Sequence, residues 1–470
     1  MDDNRQSVFE SLRQDIVGLN QPVPLLDGTF SSCVFLDNAA STPALGVVQR
    51  KVDELLCWYS SVHRGASFKS LLSTEAYEQA RRIVAEFVGA DAQADIVIFG
   101  KNTTEAINKL AHRLALRPDD VVITTVMEHH SNDLPWRGRA QVVYLTPRED
   151  YCLDLEELAE IFERYPDRVR LLATTGASNV SGYTPPIYEM AALAHEHGAQ
   201  IFVDCAQLAP HRPVYMGPVG SAQRLDFVAI SAHKMYAPYG SGALIGPRET
   251  FAQGAPEYRG GGTIDLVTLE EVRWAGPPER DEAGSPNLIG AVALAASMRR
   301  LQEVGMDRIA EHEKELTAHA LQQLRQLPAI TVYGSADPER LDDRLGVISF
   351  NVRGMHHGKV AAILGFEGGI AVRHGCFCAH PYVVHLLGLD EAAQAAFQND
   401  VIEGDRSEMP GFVRVSFGCY NTLADVDHLL YMLRRICAGD YQGDYVVDAS
   451  SGTYLPRQFD RKLIHEAFSI

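Results

Sequence analysis

Between about residues 35 and 300, short apolar runs alternate with stretches of helical periodicity, and no other feature constrains the fold as strongly. Asp95-Ile96-Val97-Ile98-Phe99, Val121-Val122-Ile123-Thr124, Gln141-Val142-Val143-Tyr144-Leu145, Arg170-Leu171-Leu172-Ala173-Thr174 and Leu225-Asp226-Phe227-Val228-Ala229-Ile230 each read as a strand. The alternation predicts an α/β architecture: a mostly parallel sheet covered by helices on both faces. From roughly residue 300 a long charged helix, strands near 331–333 and 346–352 and further helices predict a smaller α/β domain. The expected organisation is an N-terminal arm and helix over 1–34, a large domain over 35–300, a small domain over 301–437 and an extension over 438–470. The acidic stretch from Asp390 to Pro410 and the tail from Ala438 are candidate insertions or interaction segments; the plainer reading is a surface loop and a packing arm.

A chain of 470 residues exceeds one ordinary core, which supports two domains. Its net charge of −19 argues against nonspecific nucleic-acid binding, which needs a basic face. The acidic start leads into an amphipathic stretch without an apolar signal core, and the longest apolar segment, Leu288 to Met298, is too short to span a bilayer. A cytoplasmic location is the expectation. Eight cysteines in a chain this long do not suggest a disulfide scaffold, and reduced thiols are expected.

Chemistry concentrates at two strand ends. Ser231-Ala232-His233-Lys234 lies between an apolar run and the turn-like Gly240-Ser241-Gly242. A lysine at such a junction can sit partly desolvated, with a lowered pKa and an amine able to form an imine; a solvated surface lysine is the bland reading. Upstream, Ile201-Phe202-Val203 delivers Asp204 to a strand's C-terminal edge. Asp204 reads either as a helix cap or as the acid that keeps a pyridine nitrogen protonated. Lysine and aspartate together imply pyridoxal phosphate.

Val203-Asp204-Cys205-Ala206-Gln207 and Ser231-Ala232-His233-Lys234 resemble the cofactor motifs of class V, fold-type I pyridoxal-phosphate enzymes, and within that class the cysteine desulfurase and selenocysteine lyase family. The likeness continues in order through Phe35-Leu36-Asp37-Asn38-Ala39-Ala40-Ser41, His63-Arg64-Gly65, Thr103-Thr104-Glu105, Glu128-His129-His130, Ser178-Asn179-Val180, Gly284-Ser285-Pro286-Asn287 and Asn421-Thr422. It implies a fold-type I transferase architecture. It also implies that Thr103, Thr104, Ser231 and His233 bind the phosphate, that His129 stacks on the pyridine face, and that Gln207 and Asn179 reach the phenolic oxygen or the substrate. Ser285 would reach the phosphate of a neighbouring subunit, which makes a homodimer the active unit. A helix start suits a phosphate independently of any resemblance, although capping explains the threonines equally well.

Ile370-Ala371-Val372-Arg373-His374-Gly375-Cys376-Phe377-Cys378-Ala379-His380-Pro381 carries the substrate question. Cys378 matches the position of the family's catalytic cysteine, whose thiolate takes sulfur as a persulfide. Arg373, His374 and His380 are candidates to lower its pKa or supply protons, and Arg373 is also a candidate substrate-binding residue. An inert packing cysteine and a metal site built from His374, Cys376, Cys378 and His380 are the competing readings. Cys376 departs from the commonest bacterial pattern and is reminiscent of molybdenum-cofactor sulfurases, so it is a candidate persulfide relay. In Phe412-Val413-Arg414-Val415-Ser416-Phe417, Arg414 looks like the family's carboxylate-binding arginine, a role its planar fork suits.

These readings predict a cysteine desulfurase that converts L-cysteine to L-alanine, with Lys234, Cys378 and His129 catalytic and a sulfur-acceptor protein as a candidate partner. The nearest rival is a carbon–sulfur or carbon–selenium lyase of the same class; a noncatalytic scaffold is the rival from another class.

Overall fold

The computed structural model describes residues 2–63 and 65–470; Arg64, part of one motif quoted above, lies outside the described residues. Seven strands form the central sheet in the order Asp95–Gly100, Gly242–Pro247, Phe227–Ser231, Gln200–Asp204, Val169–Thr175, Val121–Thr125, Gln141–Leu145. Gly242–Pro247 runs antiparallel to both neighbours and the remaining pairings are parallel, as a mostly parallel sheet requires. Alternate residues enter different cores. Val97 and Phe99 pack with the helices Phe68–Phe87 and Leu288–Val304, while Ile96 and Ile98 pack with Ala106, Ile107 and Leu110 of the helix Thr103–Arg113. Coverage on both faces explains why the strands read as continuous apolar runs.

A second sheet, antiparallel throughout, orders Ile330–Tyr333, Val347–Val352, Phe412–Ser416 and Arg373–Gly375. It shares a core of its own with the helices Met306–Leu324, His357–Gly368 and Leu423–Cys437. Val34–Phe35 pairs in parallel with Ile370–Ala371, and the Ser416 N–H donates to the Leu36 carbonyl at 2.8 Å. The segment that follows therefore leaves the smaller core and enters the cleft beside the central sheet, carrying Asp37 with it.

The acidic stretch is a helix rather than a loop. Glu391–Glu403 has no buried residue, starts where the Asp390 side chain accepts from the Ala393 N–H at 2.8 Å, and ends at Gly404 with φ +87°. Its Glu, Ala and Gln content and its two caps suffice for a helix with no apolar face, and those caps are the signal that an acidic-loop reading passes over. The tail forms the hairpin Tyr445–Asp448 and Thr453–Pro456, anchored where Glu367 accepts from the Tyr445 hydroxyl at 2.9 Å. Among the described residues no helix is long and apolar enough to cross a membrane.

Candidate active site

The C-terminal edges of parallel neighbours open on one side of a sheet, so residues ending adjacent strands converge. Asp204, Ser231 and Thr175 end their strands here and line a cavity of 340 Å³. The same cavity is lined by Thr103, Thr104, His129, Asn179, Gln207, His233, Lys234, Arg373, Cys378 and Arg414. Among the candidate cofactor-binding residues, Ser285 is the exception. It lines a different cavity of 470 Å³ with His63, Gly262 and Glu282.

Lys234 closes the short turn after Ser231, and its Nζ donates to Gln207 Oε1 at 3.0 Å. Burial pulls its pKa down to about 8, against the opposing pull of Asp204. Asp204 is itself buried and raised above the ordinary carboxylate value by desolvation; one oxygen accepts from the Ala206 N–H at 2.9 Å. Burial also takes His233 down to about 4, so its ring is neutral near pH 7.

The helix Thr103–Arg113 points its N-terminus into the cavity. Asn102 caps it, accepting from the Glu105 N–H at 3.0 Å. Capping therefore belongs to Asn102 and leaves the threonines for other work. The Thr103 hydroxyl is buried without any hydrogen-bond partner, while Thr104 Oγ1 lies 2.6 Å from Ser131 Oγ. An orphaned buried hydroxyl costs roughly 1–3 kcal/mol, and an anion at the helix start would relieve it. Approach of the neighbouring strand depends on Gly242: a Cβ there would sit 2.7 Å from the Asn102 carbonyl carbon and 2.8 Å from its Cα. An orphaned hydroxyl at a helix N-terminus, beside a buried lysine and a buried aspartate, fits a phosphate-bearing aldehyde on a pyridine ring.

His129 follows the strand Val121–Thr125, and its Nδ1 accepts from the Ser131 N–H at 3.1 Å. Burial, with Lys234 adding to it, holds its pKa down to about 3, so the ring is neutral. Behind it Glu128 is buried, accepting from Thr125 Oγ1 at 2.7 Å, the Thr175 N–H at 2.9 Å and Asn132 Nδ2 at 2.6 Å. Desolvation outweighs these donors and lifts its pKa to about 8.

Arg414 is buried in the middle of its strand. Its Nη2 donates to Asp37 Oδ1 and its Nη1 to the Asn179 carbonyl, both at 3.0 Å, and its Nε is buried without a partner. Burial lowers its pKa to about 10, which leaves it cationic. Arg373 Nε donates to the other Asp37 oxygen at 3.0 Å. Asp37 and Glu128 escaped the sequence reading as site residues, although both stood inside quoted motifs. Glu128 beside two histidines, and an acid directly after an apolar run at Asp37, were the available signals.

The cysteine loop enters from the second sheet. Phe377 and Cys378 both take the left-handed conformation, with φ of +52° and +55°. Their carbonyls are held by the central-sheet side: Asn179 Nδ2 donates to the Phe377 carbonyl at 2.8 Å and the His130 N–H to that of Cys378 at 2.7 Å. Cys378 is exposed to the cavity. Cys376 is not. Its thiol is buried, donates to the Pro410 carbonyl at 2.8 Å and is pushed up to about 12 by burial, which disfavours the thiolate that a persulfide relay needs. His374 turns toward His357, 5.4 Å between ring centroids, and does not line the cavity. His380 contacts His130 instead. No cluster of three or more metal-ligating side chains occurs among the described residues.

The sequence profile described as Aminotransferase class-V matches residues 34–429. A probable cysteine desulfurase of Halobacterium salinarum is 36% identical over 429 residues, covering 88% of this chain and 95% of that one. A probable cysteine desulfurase of Mycolicibacterium paratuberculosis is 34% identical over 438 residues, and there the match spans 90% of this chain but 58% of the relative. Among solved structures, the apo cysteine desulfurase of Thermococcus onnurineus NA1 superposes with a TM-score of 0.77 at 32% identity, over 92% of this chain and 98% of that one.

Proposed function

This chain belongs to the aminotransferase class-V family, and from that premise we propose that it is a pyridoxal-phosphate-dependent cysteine desulfurase that converts L-cysteine to L-alanine. The observation that carries the proposal is the convergence of Lys234, Asp204, Cys378 and Arg414 on one cavity. The first two serve the cofactor and the last two serve a substrate with a carboxylate and a thiol.

Thr103, Ser231, His233 and the helix N-terminus would hold the phosphate, Thr104 assisting beside Ser131; His129 would stack on the ring and Asp204 would pair with its nitrogen. Bound there, the cofactor supplies an electron sink for the pair released when the substrate's Cα proton leaves. Lys234 Nζ, with a pKa near 8, has both protonation states accessible around neutrality and can take that proton and return it. Arg414 grips the carboxylate, and Asn179 and Gln207 orient the amino-acid end. Cys378 Sγ attacks the substrate sulfur: the S–S bond forms as the Cβ–S bond breaks, and Cβ keeps the electron pair and takes a proton. One thiol on the enzyme and one on the substrate become a persulfide and alanine, with no external oxidant.

Ser285 is proposed to serve the cavity of a second copy, which would make the unit a homodimer. Its place outside its own chain's cavity supports that assignment. The persulfide on an exposed Cys378 is then available to an acceptor protein. All eight cysteines are free thiols, which supports a reducing, cytoplasmic location. The proposal is tested by product analysis on L-cysteine. It predicts alanine and, with a thiol reductant, equal sulfide; pyruvate and ammonia would assign a β-eliminating lyase instead.

A further inference from the structure

His130, in the turn that follows the central-sheet strand Val121–Thr125, and His380, at the start of the helix His380–Leu387, meet beside the cysteine loop. Their rings stack with centroids 4.8 Å apart and 12° between planes. The His380 backbone N–H donates to His130 Nε2 at 3.3 Å, and His380 Nδ1 lies 3.0 Å from the same nitrogen. A nitrogen that accepts from a backbone N–H carries a lone pair, so His130 Nε2 is unprotonated and His380 Nδ1–H is the second donor. Two residues away along the chain, the His130 N–H donates to the Cys378 carbonyl at 2.7 Å. His130 thus grips the loop twice, once on each side of Ala379. Between those grips and the Asn179 bond to Phe377, two consecutive non-glycine residues are held in the left-handed region, a conformation that persists only where its surroundings impose it.

We propose that His130 and His380 form a positioning pair that holds the cysteine loop against the His129 turn and so sets the placement of Cys378 for attack on the substrate sulfur. The functional half of this inference rests on the reading of Cys378 as the sulfur-accepting thiol. Neither ring touches the reacting atoms. Their work is to select one loop conformation, which matters because a displacement of about 1 Å at a nucleophile costs on the order of 10²-fold in rate. The pair also responds to acid: a proton on His130 Nε2 would abolish its acceptor role toward both His380 donors. Burial keeps both imidazoles below their ordinary value and the pair neutral at pH 7. The other charged or titratable groups facing His130 are Asp133, which is ion-paired to Arg137 at 2.6 Å, and His129 at 6.3 Å between ring centroids.

The test compares the wild-type holoenzyme with His380→Ala and His380→Asn, since the asparagine amide can replace the Nδ1 donor without titrating. Cys378 alkylation by iodoacetamide, followed by peptide mass spectrometry, reports loop placement whatever the catalytic role of the thiol. Steady-state alanine formation reports the consequence. His380→Ala should change the alkylation rate by about threefold or more and lower kcat by about fivefold or more, with KM within about twofold, as loss of a hydrogen bond predicts. His380→Asn should return both toward wild type. Wild-type alkylation and kcat in His380→Ala, or no recovery in His380→Asn, would overturn the proposal. Undiminished alanine formation by Cys378→Ala would instead overturn the reading of the thiol, while the alkylation comparison would still decide the positioning role.

Discussion

Nη2 of Arg414 lies 3.0 Å from Oδ1 of Asp37, a contact that joins residues 377 positions apart in the chain. Asp37 orients the guanidinium while leaving Nε buried and unpartnered. A buried cation with a spare donor is suited to a carboxylate, and its partner fixes the direction of the fork. Arg414→Lys should lower kcat/KM for L-cysteine by about 10²-fold, because a point charge cannot replace two parallel donors. Asp37→Asn should raise KM by roughly tenfold with a smaller change in kcat, since it disturbs orientation without removing the cation. Steady-state assays of alanine formation measure both.

Glu128 is buried with a pKa raised from 4.5 to about 8. A raised acid binds more protons folded than unfolded between those values, so its contribution is full below the lower one and is lost as pH rises through the upper. Glu128→Gln keeps the shape and removes the titration. Its thermal stability relative to wild type should therefore improve as pH rises from 5 to 8.5, by on the order of 1 kcal/mol or more. Parallel melting curves across that range would refute the assignment.

These two carboxylates also mark the limit of what sequence reading reached. Lys234 and Asp204 were legible because residue type and strand-end position coincide, and parallel neighbours bring such ends together without further information. Glu128 was not, because its partners Thr175 and Asn132 are set by sheet pairing and by a turn. The Asp37 role depends on a segment that pairs with Ile370–Ala371 before entering the cleft, a long-range register that local pattern does not encode. Cys376 stood two residues from Cys378 and invited a shared role. The backbone turn after Gly375 instead sends the two thiols to different surroundings.

Gly242 permits the close approach of its strand to Asn102, whose backbone atoms cannot move without displacing the helix start. Gly242→Ala should cost about 1–3 kcal/mol by overpacking and weaken cofactor retention by widening the cradle. Thermal melts and dialysis of the bound chromophore report the two effects separately.

Lys234→Ala removes the amine proposed to handle the proton, and no other lysine among the described residues lines the cavity. It should abolish alanine formation and leave no borohydride-fixed cofactor on the protein, as seen by intact mass. Fixation at another lysine would contradict the assignment of Lys234.

The most direct test of the account is a single turnover with L-cysteine and no reductant, in wild type and Cys378→Ala, measuring alanine and sulfur on the cysteine-loop peptide together. One alanine per active site and one added sulfur atom on Cys378 are expected in wild type, with both lost in the variant. Alanine formed at the wild-type rate by Cys378→Ala, or alanine with no added sulfur on the wild-type peptide, would contradict it.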